Sequence, residues 1–168
     1  MKDRREDKTN WSQSVTGVVI REGKVLLARH TYGGGKGMLI VPGGYVEQGE
    51  LPEETLVREY LEETNITVKP REVIGIRCNT RDWYLAFLAD YVSGEARSDG
   101  DENSEVVWMD VREALQREDV PDLTKKLIDC ALEKGRGFQR LSYKTKSGNG
   151  FLYGTVQREN TEKSNSDF

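Results

Sequence analysis

Apolar and polar residues alternate in short runs along much of the chain, and this alternation is typical of half-buried β-strands. The runs cover residues 15–20, 24–29, 38–41, 66–68, 73–79, 83–91 and 105–109. A helical period of about 3.6 residues replaces the alternation at residues 52–64, 111–117 and 122–134. Strands interleaved with helices in this order favour an α/β fold, with a mixed sheet that helices cover on both faces.

Signals for helix ends accompany the helical segments. Pro52 suits a first helical turn, where its missing N–H would have no intrahelical acceptor. Asp110 is expected to cap the second helix, and Gly135 is expected to end the third. The predicted buried sides consist of Leu56, Val57, Tyr60, Leu61 and Thr64 in the first helix and of Leu123, Leu127, Ile128, Ala131 and Leu132 in the third.

The two ends of the chain differ from its centre. Residues 1–12 predict a flexible N-terminal arm, and residues 158–168 predict a disordered polar tail. After a central domain at residues 13–134, residues 135–157 predict a C-terminal β-hairpin that turns at Asn149-Gly150. A lone hairpin is marginally stable, so it is expected to pack on the sheet edge or on a second copy of the chain in a homodimer.

The composition limits the classes of function. The 168 residues carry a net charge of −4, which argues against a broad nucleic-acid surface, since such surfaces are normally basic. No apolar run is long enough to cross a bilayer, and the charged start lacks a secretion signal, so a cytoplasmic protein without membrane contact is expected. Cys78 and Cys130 have no metal-site spacing and His30 is the single histidine, so any metal ion is expected on oxygen ligands.

A glycine-rich loop, HTYGGGKG at residues 30–37, follows the second strand. It lacks the Gly-Lys-Ser/Thr sequence that opens a helix in the Walker phosphate-binding loop. A loop on the rim of the domain is therefore the favoured interpretation.

The first predicted helix carries a dense group of glutamates. Glu59, Glu62 and Glu63 fall on one side, since positions three and four apart are neighbours on a helix. Their charges repel one another, and a hard cation such as Mg²⁺ would compensate them through the carboxylate oxygens. For these three residues alone the alternative is a solvated surface helix, because such charge patterns are common on exposed faces.

The pattern around these glutamates is longer, and it resembles the Nudix box, G-x5-E-x7-R-E-U-x-E-E-x-G-U, in which U is a bulky aliphatic residue. Six of the seven fixed positions match, namely Gly44, Glu50, Arg58, Glu59, Glu62 and Glu63. Asn65 replaces the second glycine, and Tyr60 replaces an aliphatic residue. Asparagine tolerates the left-handed conformation that ends helices, and a tyrosine ring can face a core, so neither change removes a carboxylate.

The resemblance implies the Nudix-type α/β/α sandwich over residues 13–134, with Mg²⁺ or Mn²⁺ as the cofactor. It implies a set of metal-binding and catalytic glutamates, namely Glu59, Glu62, Glu63 and, from a loop before a later strand, Glu102, with Glu105 as second choice. The general base would be Glu62 or Glu102. Arg58 and Glu50 are expected to form a supporting salt bridge, although Glu50 could also join the metal ligands.

The implied reaction is hydrolysis of a diphosphate bond in a nucleoside diphosphate derivative, such as a nucleotide sugar, ADP-ribose or a nucleoside triphosphate. The SQPWPFPxS element of the NADH pyrophosphatases has no match in the sequence. The alternative is a module of the same fold that senses a nucleotide without cleaving it, although every glutamate of the box is present.

Substrate contacts are predicted from residue type alone. Aromatic faces stack bases, and guanidinium groups bind phosphates. The main candidates are Arg29, Tyr45, Arg81 and Trp83, with Tyr32, Arg77 and Tyr84 considered beside them. Each is also an ordinary residue for a strand or a surface, so the sequence leaves these assignments open.

Overall fold

The computed structural model describes residues 12–78, 82–133, 137–145 and 148–154. Most of the predicted arm, Arg81 and the predicted tail lie outside these residues. Seven strands form a mixed sheet at the centre of the domain. They are β1 at Ser12–Arg21, β2 at Lys24–His30, β3 at Leu39–Ile40, β4 at Gly43–Tyr45, β5 at Ile66–Cys78, β6 at Asp82–Gly94 and β7 at Asn103–Asp110.

The strand order β3-β2-β1-β6-β5 places β1 in the middle of the sheet. β1 runs parallel to β6 and antiparallel to β2 and β4. β5 pairs antiparallel with β6, and β2 pairs antiparallel with β3 and β7. The parallel pair among antiparallel ones confirms the predicted mixed sheet.

The helices α1 at Pro52–Thr64, α2 at Val111–Gln116 and α3 at Asp122–Leu132 cover this sheet. Residues of α1 pack on one face against a cluster that includes Val15, Val19, Leu26, Ile66 and Phe87. Residues of α2 and α3 pack on the other face against a cluster that includes Val18, Val25, Leu27 and Leu88. The predicted α/β/α sandwich is confirmed. Within the described ranges no helix is both long and apolar enough to cross a membrane.

A buried hydroxyl joins α1 to the sheet. Tyr60 is fully buried, and its hydroxyl donates a hydrogen bond of 2.6 Å to the backbone oxygen of Gly17 in β1. A buried hydroxyl without a partner would cost about 1–3 kcal/mol, so this bond makes tyrosine acceptable at a position that the motif gives to an aliphatic residue. Gly17 also allows a close approach, because a Cβ there would lie 2.9 Å from a methyl carbon of Leu56.

The buried sides of the helices are narrower than predicted. Leu61, Leu123 and Leu132 are 50, 43 and 50% exposed, so their assignment to the core is wrong. Thr55 and Glu63 are buried in α1 instead, where each has a hydrogen-bond partner. Hydrophobicity alone therefore does not define the buried face, since satisfied polar side chains can also be buried.

The strand assignment differs from the prediction in two places. The segments before and after Pro70, predicted as two strands, form one strand, and the turn predicted at Gly43-Gly44 is part of a strand. Residues 66–78 form the single strand β5, in which Pro70 lies at an irregularity of the pairing with β6. Proline fits there because β5 is the last strand of the sheet, and edge strands tolerate a residue without an N–H. Gly43 and Gly44, predicted as a turn, pair with β1 as part of β4.

The predicted C-terminal hairpin is confirmed, with strands β8 at Gln139–Thr145 and β9 at Gly148–Gly154. Its predicted turn at Asn149-Gly150 is wrong, because both residues lie within β9 and pair with β8. The connection falls at residues 146–147, outside the described part of the chain. The register of the whole strand pair thus overrides the local turn signal of an Asn-Gly sequence.

The hairpin is attached to the edge strand β5. Backbone hydrogen bonds of 2.8 and 2.9 Å link Val73 of β5 with Phe138, which immediately precedes β8. The ring of Tyr153 in β9 meets Phe87 edge-on at a centroid distance of 5.7 Å. Of the two predicted arrangements this is packing on the sheet edge, and a homodimer stays a prediction.

Candidate active site

The residues of the box are carried by β4, the loop after it and α1. Gly43 and Gly44 lie in β4, and α1 ends at Asn65. Asn65 has a φ of 59° and a ψ of 22°, the left-handed conformation expected for it, and its N–H bonds to the backbone oxygen of Leu61 at 3.0 Å. Asparagine thus ends the helix as a glycine would.

Arg58 occupies the centre of the box. Its guanidinium donates to the two carboxylate oxygens of Glu50 at 2.7 and 2.9 Å, which is the predicted salt bridge. It also donates to Glu59 at 2.7 Å and to Glu62 at 3.3 Å. A further bond of 3.1 Å reaches the backbone oxygen of Tyr45. One planar cation with a fixed fork of donors therefore connects β4, the loop and α1.

Glu50 has a partner on each of its oxygens. Besides Arg58, it accepts hydrogen bonds from the hydroxyl of Thr55 at 2.8 Å and from the backbone N–H of Glu47 at 3.2 Å. The bonds from Arg58 and then Thr55 are the main causes that lower the pKa of Glu50 to about 2. Its carboxylate is therefore ionised and already bonded, which favours a supporting role over that of a metal ligand.

Glu63 is a buried carboxylate, with only 4% of the residue exposed. The backbone N–H of Gly43 donates to it at 3.3 Å. Burial raises the pKa of Glu63 to about 8, and the nearby charges of Glu59, Glu102 and Asp99 raise it too, against the effect of the Gly43 bond. A carboxylate buried among other carboxylates is costly to ionise, and a bound cation would remove that cost.

Glu59 and Glu62 face different surroundings. Glu59 lines a cavity and its side chain is 13% exposed, whereas the side chain of Glu62 is 61% exposed. Burial raises the pKa of Glu59, the bond from Arg58 lowers it, and the charges of Glu62 and Glu102 raise it again. The predicted acidic side of α1 therefore divides into an inner part with Glu59 and Glu63 and an outer part with Glu62.

Glu102, which the sequence singled out only through the resemblance, lies on the loop before β7 and lines the same cavity. Its carboxylate accepts a hydrogen bond of 3.1 Å from the hydroxyl of Tyr32. Burial and the charge of Glu102 raise the pKa of Tyr32 to about 12, so this hydroxyl keeps its proton and acts as a donor. Glu105, the second choice, is bonded to Arg29 at 2.8 Å and does not line the cavity.

The cavity has a volume of about 720 Å³, within the usual range for small-molecule sites. Carboxylates and glycines line one part of the cavity. They come from β4, α1, the loop after β4 and the loop before β7, and they are Gly43, Gly44, Glu47, Glu59 and Glu102. Apolar and aromatic groups line the rest, namely Ile40, Val41, Tyr84, Pro121, Leu123 and Leu127. A charged group and an apolar or aromatic group can therefore be bound in one space.

The residues predicted to contact substrate are divided by the structure. Tyr45 lines the cavity and is 64% exposed. Trp83 does not line it, but the next residue, Tyr84, does, together with Arg77, whose guanidinium carbon lies 4.5 Å from the centre of the Tyr84 ring. Successive side chains of a strand point to opposite faces, so only one of two neighbouring aromatic residues can face the cavity.

Arg29, another predicted substrate contact, forms three hydrogen bonds within the protein. Its guanidinium donates to Glu105 at 2.8 Å, to Asp119 at 3.0 Å and to the backbone oxygen of Gly37 at 2.8 Å. Arg117 donates to the same Asp119 at 2.7 and 2.8 Å. Arg29 does not line the cavity, so this arrangement does not support a contact with substrate phosphates.

The inner carboxylates fit a hard divalent cation by their chemistry. Within the described residues no three His, Cys, Asp or Glu side chains are already gathered as a complete ligand set. Glu59 and Glu102 nevertheless contribute to the raised pKa of Glu63, so their charges interact across the site. Carboxylate oxygens are the donors that Mg²⁺ prefers, and a cation among them would offset the repulsion.

Comparisons with known proteins agree with this geometry. The family model described as NUDIX domain matches residues 11–129. An NAD-capped RNA hydrolase, NudC, of Actinobacillus succinogenes is 40% identical over 102 residues, which are 54% of this chain and 37% of that protein. An ADP-ribose pyrophosphatase of Methanocaldococcus jannaschii is 33% identical over 104 residues, which are 58% of this chain and 61% of that protein.

A solved structure shares the fold over most of its length. The MutT protein of Methanosarcina mazei Go1 has a TM-score of 0.63 and 25% identity, and the match covers 77% of this chain and 98% of that one. The chain spans 37 and 61% of the lengths of the two curated relatives. Their activities therefore serve as guides to experiments on this protein.

Proposed function

The chain belongs to the NUDIX family, and from that premise we propose that it is a hydrolase that splits a diphosphate bond in a nucleoside diphosphate derivative with Mg²⁺ or Mn²⁺. The observation that carries the proposal is the buried Glu63, whose pKa the charges of Glu59, Glu102 and Asp99 help to raise and whose carboxylate bonds to Gly43 in the lining of the cavity. Perturbed carboxylates beside a cavity are typical of functional sites.

The metal ion would be held by Glu59 and Glu63, with Glu102 in the lining of the same cavity as Glu59 and Glu62 available on the solvent side. Such an ion neutralises charge on phosphoryl oxygens and lowers the pKa of a bound water molecule. Arg58 keeps Glu59 in place, and the N–H of Gly43 does the same for Glu63. The chain's own contribution is thus a fixed set of oxygen donors.

The proton of the attacking water needs an acceptor. Of the two predicted general bases, Glu102 lines the cavity, whereas Glu62 is 61% exposed and bonded to Arg58. We therefore assign the role to Glu102. The water oxygen forms a bond to phosphorus, the bridging P–O bond breaks, and the proton of the water passes to the Glu102 carboxylate.

The remainder of the cavity supports a substrate with a nucleoside. Tyr84 offers an aromatic face for a base, and Leu123 and Leu127 offer apolar surface beside it. The ADP-ribose pyrophosphatase relative makes ADP-ribose the first substrate to test. The NudC relative adds an NAD-capped RNA end, which a chain of net charge −4 could bind without a broad basic surface.

The proposal is tested with a panel of ADP-ribose, nucleotide sugars, NAD, nucleoside triphosphates and an NAD-capped RNA. Each is incubated with Mg²⁺ and with Mn²⁺, and the phosphorylated products are identified by chromatography. We expect turnover of at least one diphosphate that joins a nucleoside to a second group, and none in a metal-free sample. Tight nucleotide binding without turnover of any member would instead favour the sensing module.

Replacing Gly44 by alanine is expected to lower kcat/KM by about 10- to 100-fold with little change in Tm. A Cβ at Gly44 would lie 2.3 Å from the Glu59 carboxylate, so the carboxylate must leave its place, while the backbone can keep its path. Gly43→Ala is the contrasting variant, because its Cβ would lie 2.1 Å from the backbone oxygen of Val15 at a φ of 154°.

Steady-state kinetics and thermal unfolding of both glycine variants distinguish the two effects. Gly43→Ala should lose several degrees of Tm, whereas Gly44→Ala should lose activity in a stable fold. Wild-type kcat/KM in Gly44→Ala would show that the place of Glu59 does not matter for the reaction.

A further inference from the structure

The glycine-rich loop after β2 is bonded to the segment that carries Glu102. The backbone N–H of Thr31 donates to the backbone oxygen of Glu102 at 3.0 Å. The hydroxyl of Thr31 lies 2.8 Å from the backbone oxygen of Asp101 and 3.0 Å from that of Glu102. The hydroxyl of Tyr32 donates to the Glu102 side chain at 3.1 Å. Thr31 thus bonds to the backbone of Glu102, and the next residue, Tyr32, bonds to its carboxylate.

The shape of this loop follows from its glycines. Gly33 and Gly37 have φ values of 63° and 79°, which other residues rarely adopt, and they frame a short 3₁₀ turn at Gly33–Gly35. The N–H of Gly37 returns to the backbone oxygen of His30 at 2.8 Å and closes the loop. The ring of His30 then stacks on that of Tyr32, with 5.5 Å between centroids and 28° between planes. The ring of Tyr32 therefore packs against the ring of His30.

The loop before β7, which carries Glu102, has hydrogen bonds of its own that hold its backbone. These bonds do not involve the Glu102 carboxylate. The carboxylate of Asp99 accepts the backbone N–H groups of Asp101 and Asn103, each at 3.0 Å. Among the described residues, Tyr32 is the one side chain with a hydrogen bond to the Glu102 carboxylate. A glutamate on a loop otherwise has several rotamers to choose from.

We infer that Tyr32 is a positioning residue, whose hydroxyl holds the Glu102 carboxylate toward the cavity in the orientation that the reaction requires. The inference rests on the proposed function, because it takes Glu102 as the acceptor of the water proton. It also gives the HTYGGGKG loop a role that its sequence did not reveal, since that sequence has no phosphate-binding pattern. Misplacement of a reacting group by about 1 Å can lower the rate by a factor of about 100. Loss of the Tyr32 hydroxyl is therefore expected to lower the rate measurably.

The test uses Tyr32→Phe, which keeps the ring on His30 and removes only the hydroxyl. We expect kcat to fall about 10-fold or more with little change in KM, since the hydroxyl is assigned to Glu102 and not to substrate. In a Glu102→Ala background the same substitution should have no further effect, because two residues that act as a unit are not additive. Tyr91→Phe is the matched control, as that hydroxyl donates to the backbone oxygen of Gly94 away from the cavity.

A second measurement needs no turnover. In protein labelled with ¹³C at tyrosine Cζ, the resonance that disappears in Tyr32→Phe is expected to shift in Glu102→Ala. It should stay in place in Glu105→Ala, whose carboxylate is bonded to Arg29. If the chemical shift of Tyr32 is the same in the wild-type protein and in Glu102→Ala, the inference is wrong, whatever the activity of the variants.

The kinetic outcomes separate this inference from the proposed function. Wild-type kcat in Tyr32→Phe, or a full 10-fold loss on top of Glu102→Ala, would show that Tyr32 does not act through Glu102. No turnover of any substrate by the wild-type protein, with the resonance shift present, would reject the hydrolase and with it the catalytic purpose of the contact.

Discussion

Glu63→Gln is expected to lower kcat by about 100- to 10,000-fold and to leave the fold intact. A metal ion contributes several kcal/mol to such reactions, and each 1.4 kcal/mol is about a factor of ten in rate. The amide cannot replace the negative charge that would hold the cation. It can still accept the N–H bond of Gly43, so the packing around residue 63 is kept. In the metal-free protein at neutral pH Tm should change little, because burial raises the pKa of Glu63 to about 8 and glutamine then replaces a carboxyl group that is mostly uncharged.

The measurement combines steady-state kinetics with calorimetric titration of Mn²⁺ alone. Glu53→Gln is the matched control, because it makes the same substitution in the first turn of α1, outside the cavity lining. Glu62→Gln should have a smaller effect on Mn²⁺ affinity than Glu63→Gln, since its side chain is 61% exposed. A folded Glu63→Gln protein with wild-type kcat would remove Glu63 from the metal site.

Local rules were sufficient for the helix that carries the site. The start at Pro52 and the left-handed end at Asn65 depend on neighbours a few residues away. The Arg58–Glu50 bond is also local, since the two residues are eight positions apart. Such features follow from chain geometry that the sequence pattern already contains.

The division between Glu62 and Glu63 could not be predicted in the same way. Both residues lie on the acidic side of the helical wheel, and adjacent positions differ by about 100° around the axis. Which of them is buried depends on how α1 lies on the sheet and on where β4 ends, and these are long-range properties. The N–H of Gly43 that bonds to Glu63 comes from twenty positions away.

The substrate side of the cavity shows the same limit. Trp83 and Tyr84 are adjacent aromatic residues in β6, and their composition gives no sign of which faces the cavity. The choice is made by the register with β1 and β5, which a single strand does not contain. The apolar character of Leu123 predicts a core residue, but it is the second residue of α3, is 43% exposed and lines the cavity.

Arg58→Lys is expected to lower the free energy of unfolding by about 2–3 kcal/mol and kcat by at least about 10-fold. The ammonium group of lysine lacks the planar fork of donors of a guanidinium group. It therefore cannot donate hydrogen bonds to Glu50, to Glu59 and to the backbone of β4 at the same time. Carboxylates that lose a guanidinium partner in partly buried positions cost more than a lost surface pair, and the side chains of Glu50 and Glu59 are only 20 and 13% exposed. For a domain of this size the change corresponds to a fall in Tm of roughly 4–12 °C.

Arg71→Lys separates this effect from the general exchange of arginine for lysine. Arg71 and Asp90 form a pair at 3.4 Å with side chains that are 55 and 54% exposed, and such pairs contribute about 0–1 kcal/mol. Urea unfolding at 25 °C gives the stabilities, and kinetics well below the Tm of Arg58→Lys show whether activity is lost in the folded state. Equal stability of Arg58→Lys and Arg71→Lys would mean that the bonds of Arg58 do not hold the box together. Lost stability with wild-type kcat would mean that Glu59 finds its place without Arg58.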